Sequence, residues 1–167
     1  ANDFNLNIPR YIDSTEPEDL QDIEAHMRGG IPNRDIDELS HYWEVFPGVR
    51  TGLFEPDRSG YSLLKVDRED IRKTIFEHRD FTAFNDSTTA LFTQWKDSII
   101  PYLQELAIGS KPKVLIEILS ERLLEAFQEA RLIDPYDVYQ HLMAYWAETM
   151  QDDVYMIATD GWQKAAS

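Results

Sequence analysis

The chain has 167 residues, no cysteine, and 31 acidic against 16 basic side chains, which gives a formal net charge of −15. Without cysteine it contains neither disulfides nor thiolate metal sites, a composition that fits a reducing cytoplasm. The negative charge argues against a surface that grips duplex DNA alone, because DNA affinity depends on neutralising phosphates. Aromatic residues make up 12% of the chain and supply large side chains for a core, which argues against a disordered acidic tail.

The acidic residues are concentrated toward the two ends of the chain. Residues 1–45 hold 11 acidic and 3 basic residues, residues 46–133 hold 14 and 12, and residues 134–167 hold 6 and 1. A basic protein partner, or simple solubility, explains this distribution better than a nucleic-acid footprint. No apolar run approaches the length of about 18 residues that suggests a membrane span, and no secretion signal is seen. We therefore expect a cytoplasmic protein.

Hydrophobic periodicity predicts a mainly α fold: a bundle of about five to seven helices with an extended N-terminal strap and one or two short strands. The strap covers residues 1–13 and a single helical domain covers residues 14–167. In the strap, Phe4, Leu6 and Ile8 alternate with polar residues at period two, and Pro9 disfavours helix at the preceding residue. We interpret it as an extended segment that packs against a partner.

Two helices are predicted next, joined as a hairpin. The first begins at Ser14 or Thr15 and ends at Gly29-Gly30. The second is capped by Asn33 or Asp35 and is broken by Pro47-Gly48. Helical spacing assigns their apolar faces to Leu20, Ile23 and Met27 in the first helix and to Ile36, Leu39, Trp43 and Phe46 in the second.

Residues 49–66 are less regular. A short helix closing at Leu53-Phe54, a turn over 56–60 and a strand over Tyr61 to Val66 are predicted from turn and strand propensities. Asp67 then caps a helix that ends near His78. The side chains predicted to point inward from this helix are Ile71, Ile75 and Phe76.

The clearest periodic signal lies between residues 88 and 106, where apolar positions alternate at spacings of four and three. Pro101 interrupts this pattern. An internal proline costs about 3 kcal/mol, whereas burial of each large apolar side chain contributes roughly 1.5–3 kcal/mol. A kinked helix is therefore favoured over two helices that meet at Ile100. The seam consists of Thr88, Phe92, Trp95, Ile99, Tyr102 and Leu106.

Two further amphipathic helices are predicted. The first follows Pro112, and its apolar positions oppose a row of glutamates at 117, 121, 125 and 129. The second opens at Asp134-Pro135, with aspartate as cap and proline in the first turn. Residues 154–157 form either a short strand or an extension of that helix, and a turn follows at Asp160-Gly161-Trp162.

Several stretches of the sequence resemble a known family. The N-terminal run 2–13 contains Asn5, Asn7, Pro9, Arg10 and Tyr11, and further similarity covers 28–36, 60–66 and 132–155. Together these stretches resemble the C-terminal region of the modification (M) subunit of type I restriction-modification systems. The resemblance implies a parent adenine methyltransferase that uses S-adenosylmethionine and works with specificity (S) and restriction (R) subunits. It also implies that this helical part assists assembly beside the long helices of the S subunit and helps to enclose DNA.

No catalytic or cofactor motif of that family is found in the chain. Asp134-Pro135-Tyr136 lacks the second proline of the Asp/Asn-Pro-Pro-Tyr/Phe loop, and a helix cap explains it better. Neither GxGxxG nor GxxxxGK[ST] occurs, so no catalytic or cofactor-binding residue is predicted. No metal site is predicted either, because His26, His41, His78 and His141 lack the spacing of a linear zinc motif and adjacent acids such as Asp152-Asp153 are expected in so acidic a chain.

One local concentration of positive charge remains. Lys65, Arg68, Arg72 and Lys73, followed by Arg79, are candidates for contact with a DNA phosphate or with an acidic patch of a sister subunit. The spacing of the first three predicts one helical face. The alternative is a solvated face whose cations pair with nearby acids.

The functional hypothesis is a non-catalytic helical module that serves assembly with the S subunit and supports DNA enclosure. An acidic DNA mimic or inhibitor-type interaction domain is the alternative, and it requires a continuous surface stripe of acids. A small metal-dependent hydrolase is a third hypothesis, and it requires several carboxylates that converge in a pocket.

Overall fold

The computed structural model describes residues 22–165. The predicted strap at 1–13, with its family-motif residues Asn5, Asn7, Pro9, Arg10 and Tyr11, lies outside the described residues, as does the predicted start of the first helix at Ser14 or Thr15. The cytoplasmic location and the single-domain boundary at 14–167 stay predictions.

The prediction of a mainly α fold with a few short strands is confirmed. A three-residue 3-10 turn lies at Arg68–Asp70, and a π-helical turn lies at Trp146–Met150. The strands are β1 (Ile31–Pro32), β2 (Phe54–Pro56) and β3 (Tyr61–Leu64). The helices are α1 (Ile23–Arg28), α2 (Asn33–Glu38), α3 (Ser40–Trp43), α4 (Pro47–Leu53), α5 (Ile71–Phe76), α6 (Arg79–Gln104), α7 (Pro112–Phe127), α8 (Pro135–Tyr145), α9 (Gln151–Asp160) and α10 (Trp162–Ala165).

The three strands form one small antiparallel sheet in the order β1-β3-β2. Ile31 pairs with Ser62, and Phe54 pairs with Leu64. The predicted strand at 61–66 is confirmed over Tyr61–Leu64. Its two partner strands contain only two and three residues, too few for period-two alternation to reveal them.

Residues 33–46 do not form one helix, so that prediction is wrong. The helix is interrupted at Leu39, where the backbone lies at φ −86° and ψ 21°. The indole nitrogen of Trp43 donates to the Ile36 carbonyl, and the Leu39 amide bonds to the same carbonyl at 3.2 Å. These two donors occupy the acceptor that an uninterrupted helix would use, so α2 ends and α3 begins separately.

The predicted cap of the second helix is wrong, as is the predicted burial of Ile23 and Met27 in the first, whereas Ile36 and Phe46 of the second are buried as predicted. Asp22 caps α1, whose Ile23 and Met27 side chains are 71% and 81% exposed. The side-chain amide oxygen Oδ1 of Asn33 accepts a 2.7 Å hydrogen bond from the Ser62 hydroxyl, and α2 has no side-chain cap. Asn33 therefore ties α2 to the sheet.

Pro47-Gly48 opens a helix as well as closing the preceding segment. Pro47 is in the first turn of α4. Backbone N–H groups in the first turn have no acceptor within the helix, so the lack of an N–H in proline costs no hydrogen bond there. The α4 side chains Val49 and Leu53, with Phe46 before them, form the buried centre of what we call the aromatic cluster. Around this centre pack Trp43, Val45, Phe54, Val66, Ile71, Ile75, Phe81 and Phe84. Phe76, predicted to point inward, is 54% exposed.

Helix α6 continues through Pro101 and ends at Gln104, which confirms that the proline lies inside a helix. Its first turns contribute Phe81 and Phe84 to the aromatic cluster, and its later turns contribute Trp95 and Ile99 to a second core. Phe92, predicted to lie in the buried seam, is 48% exposed. Helix α6 therefore links the two cores.

The second core is helical and involves α6 to α9. Leu115, Leu119, Leu123 and Phe127 of α7 are buried at the predicted helical spacing. The buried side chains that pack with them are Trp95, Ile99, Leu106, Leu142, Trp146, Val154 and Ile157. The predicted extension at 154–157 is helical, within α9, rather than a strand.

The predicted aspartate cap of α8 is confirmed. A carboxylate oxygen of Asp134 accepts a 2.8 Å hydrogen bond from the Tyr136 amide, and Pro135 lies in the first turn. We expect Asp134→Ala to lower the free energy of unfolding by about 1 kcal/mol, because the amide loses its acceptor. Asp134→Asn keeps a side-chain acceptor, so it should lower the free energy of unfolding by only a few tenths of a kcal/mol. Urea denaturation of both variants measures the difference, and equal losses would contradict the capping role.

Candidate docking groove

An open apolar groove runs between α6 and α8 above α7, and we call it the α6–α8 groove. Helix α7 packs against both of the other helices. The groove encloses about 480 Å³. Its lining consists of Phe92, Trp95, Lys96, Ile99 and Leu103 from α6, Leu119 and Leu123 from α7, Val138, His141, Leu142 and Tyr145 from α8, and Met150 from the π turn.

Helical periodicity explains this lining. The α6 residues recur at spacings of three and four, as do those of α8, so each helix presents one continuous side to the groove. Leu119 and Leu123 form the floor and are 0% and 2% exposed. The α6 wall from Phe92 to Leu103 is about 16 Å long at 1.5 Å per residue, which equals three helical turns.

The two rims of the groove are exposed although they are aromatic. Phe92 on the α6 rim is 48% exposed and Tyr145 on the α8 rim is 55% exposed. Large apolar side chains that border a concave apolar surface are characteristic of binding sites for partners. The groove is thus a surface on which a partner can bury further apolar area.

Each polar side chain of the lining can donate a hydrogen bond, and the imidazole and the phenol can also accept one. The Trp95 indole nitrogen is satisfied by the Leu119 carbonyl at 3.0 Å. Lys96, His141 and Tyr145, which we call the donor cluster, form no hydrogen bond or ion pair with any of residues 22–165. These three exposed groups are an ammonium, an imidazole and a phenol, of which the Lys96 ammonium favours a negatively charged acceptor and the other two can donate to it.

The π turn shapes one end of the groove. It follows Tyr145 directly, buries Trp146 in the core and supplies Met150 to the groove lining. Isolated π turns within α-helices occur often at functional sites. Its location beside the groove is a second reason to regard this surface as functional.

The basic residues predicted as a contact surface do not share one helical face. Lys65 lies in the loop after β3, where its ammonium donates to the Thr51 carbonyl at 3.0 Å. Arg68 lies in the 3-10 turn, and the Arg72 guanidinium lies 5.5 Å from the Phe76 ring centroid. That geometric prediction is wrong for Lys65, because the chain becomes helical only after it.

Lys73 and Lys65 line a separate shallow groove together with acidic residues. This groove encloses about 520 Å³. Its charged lining is Lys65, Asp67, Asp70, Lys73 and Glu77. Because three carboxylates accompany two ammonium groups, the positive field is locally offset. Contact of these residues with DNA phosphate stays a prediction.

A polar network holds α1 to the sheet. The Tyr61 hydroxyl donates to both carboxylate oxygens of Asp22 at 2.9 and 3.0 Å, and Arg34 lies 3.5 Å from the same carboxylate. The Ala25 amide, together with Tyr61 and Arg34, lowers the pKa of Asp22 below its usual value, and the hydrogen bond to Asp22 raises the pKa of Tyr61. The Arg58 guanidinium stacks 3.8 Å from the Tyr61 ring centroid. The Asp22 carboxylate and the Tyr61 hydroxyl satisfy each other, whereas Arg58 Nε has no hydrogen-bond partner among residues 22–165.

The histidines are in unrelated environments. Nδ1 of His78 accepts from the Asp80 amide at the start of α6, whereas His141 lines the α6–α8 groove. Within residues 22–165, no three histidine, aspartate or glutamate side chains converge as metal ligands would. None of the helices in that range combines the length and the apolar character needed to cross a lipid bilayer.

Sequence reasoning did not identify the groove. The alternation of four and three in α6 revealed one apolar side, but Lys96 and His141 stood out neither by type nor by spacing. No family model matches the chain, and the comparisons with curated proteins and with solved structures likewise yield no match.

Proposed function

We propose that the chain is a non-catalytic helical assembly module, which binds a helix of the S subunit of a cytoplasmic type I restriction-modification system in its α6–α8 groove. The family assignment derives from the resemblance of 2–13 and 132–155 to M subunits. The observation that supports docking is the groove itself: three helical turns of apolar lining with exposed aromatic rims. A helix laid in such a groove buries apolar area along its whole length.

Charge favours a different protein over a second copy as the occupant. Each copy carries a net charge of −15, so self-association would bring two strongly acidic molecules together. A helix from a partner with basic flanks would be attracted to the same surface. The resemblance alone supports four further parts of this proposal. They are that the parent protein binds S-adenosylmethionine, that it methylates DNA, that it contacts the R subunit and that it contacts DNA.

The docking surface is tested by placing charge on its rims. We expect Phe92→Glu/Tyr145→Glu to weaken binding of the purified S subunit of the same system at least roughly 100-fold, because two charges would be buried against an apolar helix. Isothermal titration calorimetry measures the affinity. Both side chains are about half exposed, so circular dichroism should show an intact fold.

The control places equal charge elsewhere. Tyr136 and Val114 are 68% and 46% exposed and do not line the groove. Tyr136→Glu/Val114→Glu should therefore bind the S subunit like the unmodified protein. If the unmodified protein forms no complex with the S subunit, or forms it equally well with the rim variant, the proposed function is wrong.

The alternative of an acidic DNA mimic is favoured by one observation. Glu117, Glu121 and Glu125 are exposed on α7 at spacings of four, so they form a stripe along one side. The stripe places one charge per about 6 Å, whereas each DNA strand places one per about 3.4 Å. The stripe is therefore less densely charged than the duplex that it would imitate. A mimic would displace DNA from a basic DNA-binding protein in a competition assay, and an assembly module would not.

A further inference from the structure

We propose that the helix bound in the α6–α8 groove carries a carboxylate side chain that contacts Lys96, His141 and Tyr145. This inference rests on the proposed function and specifies the chemistry of the partner. It derives from the donor cluster, whose polar groups find no acceptor among residues 22–165. A partner that covers the groove must satisfy these donors or bury them unpaired, and burial of an unpaired donor weakens binding.

The donor cluster spans the groove. Lys96 extends from α6, one residue after the buried Trp95, while His141 and Tyr145 are one helical turn apart on α8. A carboxylate held between the two walls can accept from both sides at once. A carboxylate is preferred over a neutral acceptor because hydrogen bonds between charged groups are shorter and about twice as strong.

The surrounding charge makes this cluster distinctive. Asp97 follows Lys96 in α6, and Asp137 lies one turn before His141 in α8, yet neither lines the groove. The groove thus presents the positively charged Lys96 side chain on a protein whose net charge is strongly negative. A partner helix with apolar side chains, one acidic residue facing the groove and basic residues at its flanks matches this arrangement in charge.

The test removes the donors while preserving side-chain bulk. We expect Lys96→Gln/His141→Gln/Tyr145→Phe to weaken binding of the S subunit roughly 10- to 100-fold in calorimetry. The matched control is Lys113→Gln/His26→Gln/Tyr136→Phe, which makes the same three changes at exposed positions outside the groove. It should leave the affinity unchanged. Thermal denaturation should show both proteins folded.

Charge reversal determines the sign of the partner group. Lys96→Glu should weaken the complex more than Lys96→Gln, because two carboxylates would then face each other. Stronger binding by Lys96→Glu would mean that the partner presents a cation, and the inference would be overturned. Raising the salt concentration should weaken the complex of the unmodified protein more than the complex of the triple variant. Salt screens the ion pair between Lys96 and the partner carboxylate, and the triple variant lacks that pair.

The outcomes separate this inference from the proposed function. Absence of any complex with the unmodified protein contradicts the proposed function. A complex that the rim variant disrupts but the triple variant leaves unchanged supports docking and overturns the carboxylate contact. Decanoate could bind the protein alone saturably, and the triple variant could abolish that binding. This result would identify the groove as a site for small amphiphilic acids, and the proposal that a helix occupies the groove would be overturned.

Discussion

Leu119→Ala should lower the free energy of unfolding by about 3–5 kcal/mol, because it removes a fully buried side chain from the helical core. Leu119 is 0% exposed and lies in the floor of the α6–α8 groove. Its neighbours in the core include Trp95, whose indole donates to the Leu119 carbonyl. That bond holds the surrounding backbone in place, so the vacated space cannot close completely and a cavity term adds to the lost transfer free energy.

Urea denaturation measures this loss, and Val114→Ala is the control on the same helix. Val114 is 46% exposed, so its truncation should change the unfolding free energy by no more than about 0.5 kcal/mol. A loss below about 1 kcal/mol for Leu119→Ala would mean that the floor of the groove is not packed as described. The packing of Leu119 determines the shape of the groove because the floor fixes the spacing of the two groove walls.

The long C-terminal helices could be predicted because local and tertiary preferences agree there. In α7, Leu115, Leu119, Leu123 and Phe127 recur every four residues, and glutamates at 117, 121 and 125 recur at the same spacing on the exposed side. Asp134-Pro135 specifies the start of α8 through a cap and a preset φ angle. These signals act within one or two turns, so the sequence alone contains them.

The N-terminal half was harder to predict because side-chain hydrogen bonds, one of them between residues distant in sequence, override local periodicity. The spacing of Ile36, Leu39, Trp43 and Phe46 satisfies a helix, yet the Trp43 indole bonds to the Ile36 carbonyl and the helix is interrupted at Leu39. Asn33 has the chemistry of a cap but bonds to Ser62, 29 residues later. Nothing in the local pattern distinguishes these alternatives.

The candidate groove could be predicted only in part. Periodicity placed Trp95 and Ile99 on one side of α6 without indicating which helix would cover that side. Phe92 was assigned to the core on the same pattern, but α8 leaves it at an open rim. Lys96 and His141 line the same groove because α7 packs against both α6 and α8. Their shared location is a property of helix packing rather than of either helix.

Gly48→Ala should lower the free energy of unfolding by roughly 2–4 kcal/mol, because it disrupts the junction of α4 and α6. The Gly48 amide donates to an Asp80 carboxylate oxygen at 2.6 Å, while the Asp80 amide donates to Nδ1 of His78 at 3.1 Å. A Cβ at position 48 would lie 2.5 Å from the His78 ring and 2.7 Å from the Asp80 carboxylate. Both side chains would have to move, and each movement breaks a bond at a helix start.

Gly52→Ala provides a matched control in the same helix. A Cβ at position 52 meets no atom within 4 Å, so this change should raise stability by about 0.5–1 kcal/mol through helix propensity and reduced freedom of the unfolded chain. Urea denaturation measures the change in unfolding free energy for both variants. Because the two glycines are four residues apart in one helix, changes of opposite sign would be due to the surroundings of Gly48. If both variants were stabilised, Asp80 and His78 would not be the fixed contacts that join α4 to α6, and the aromatic cluster alone would hold that junction.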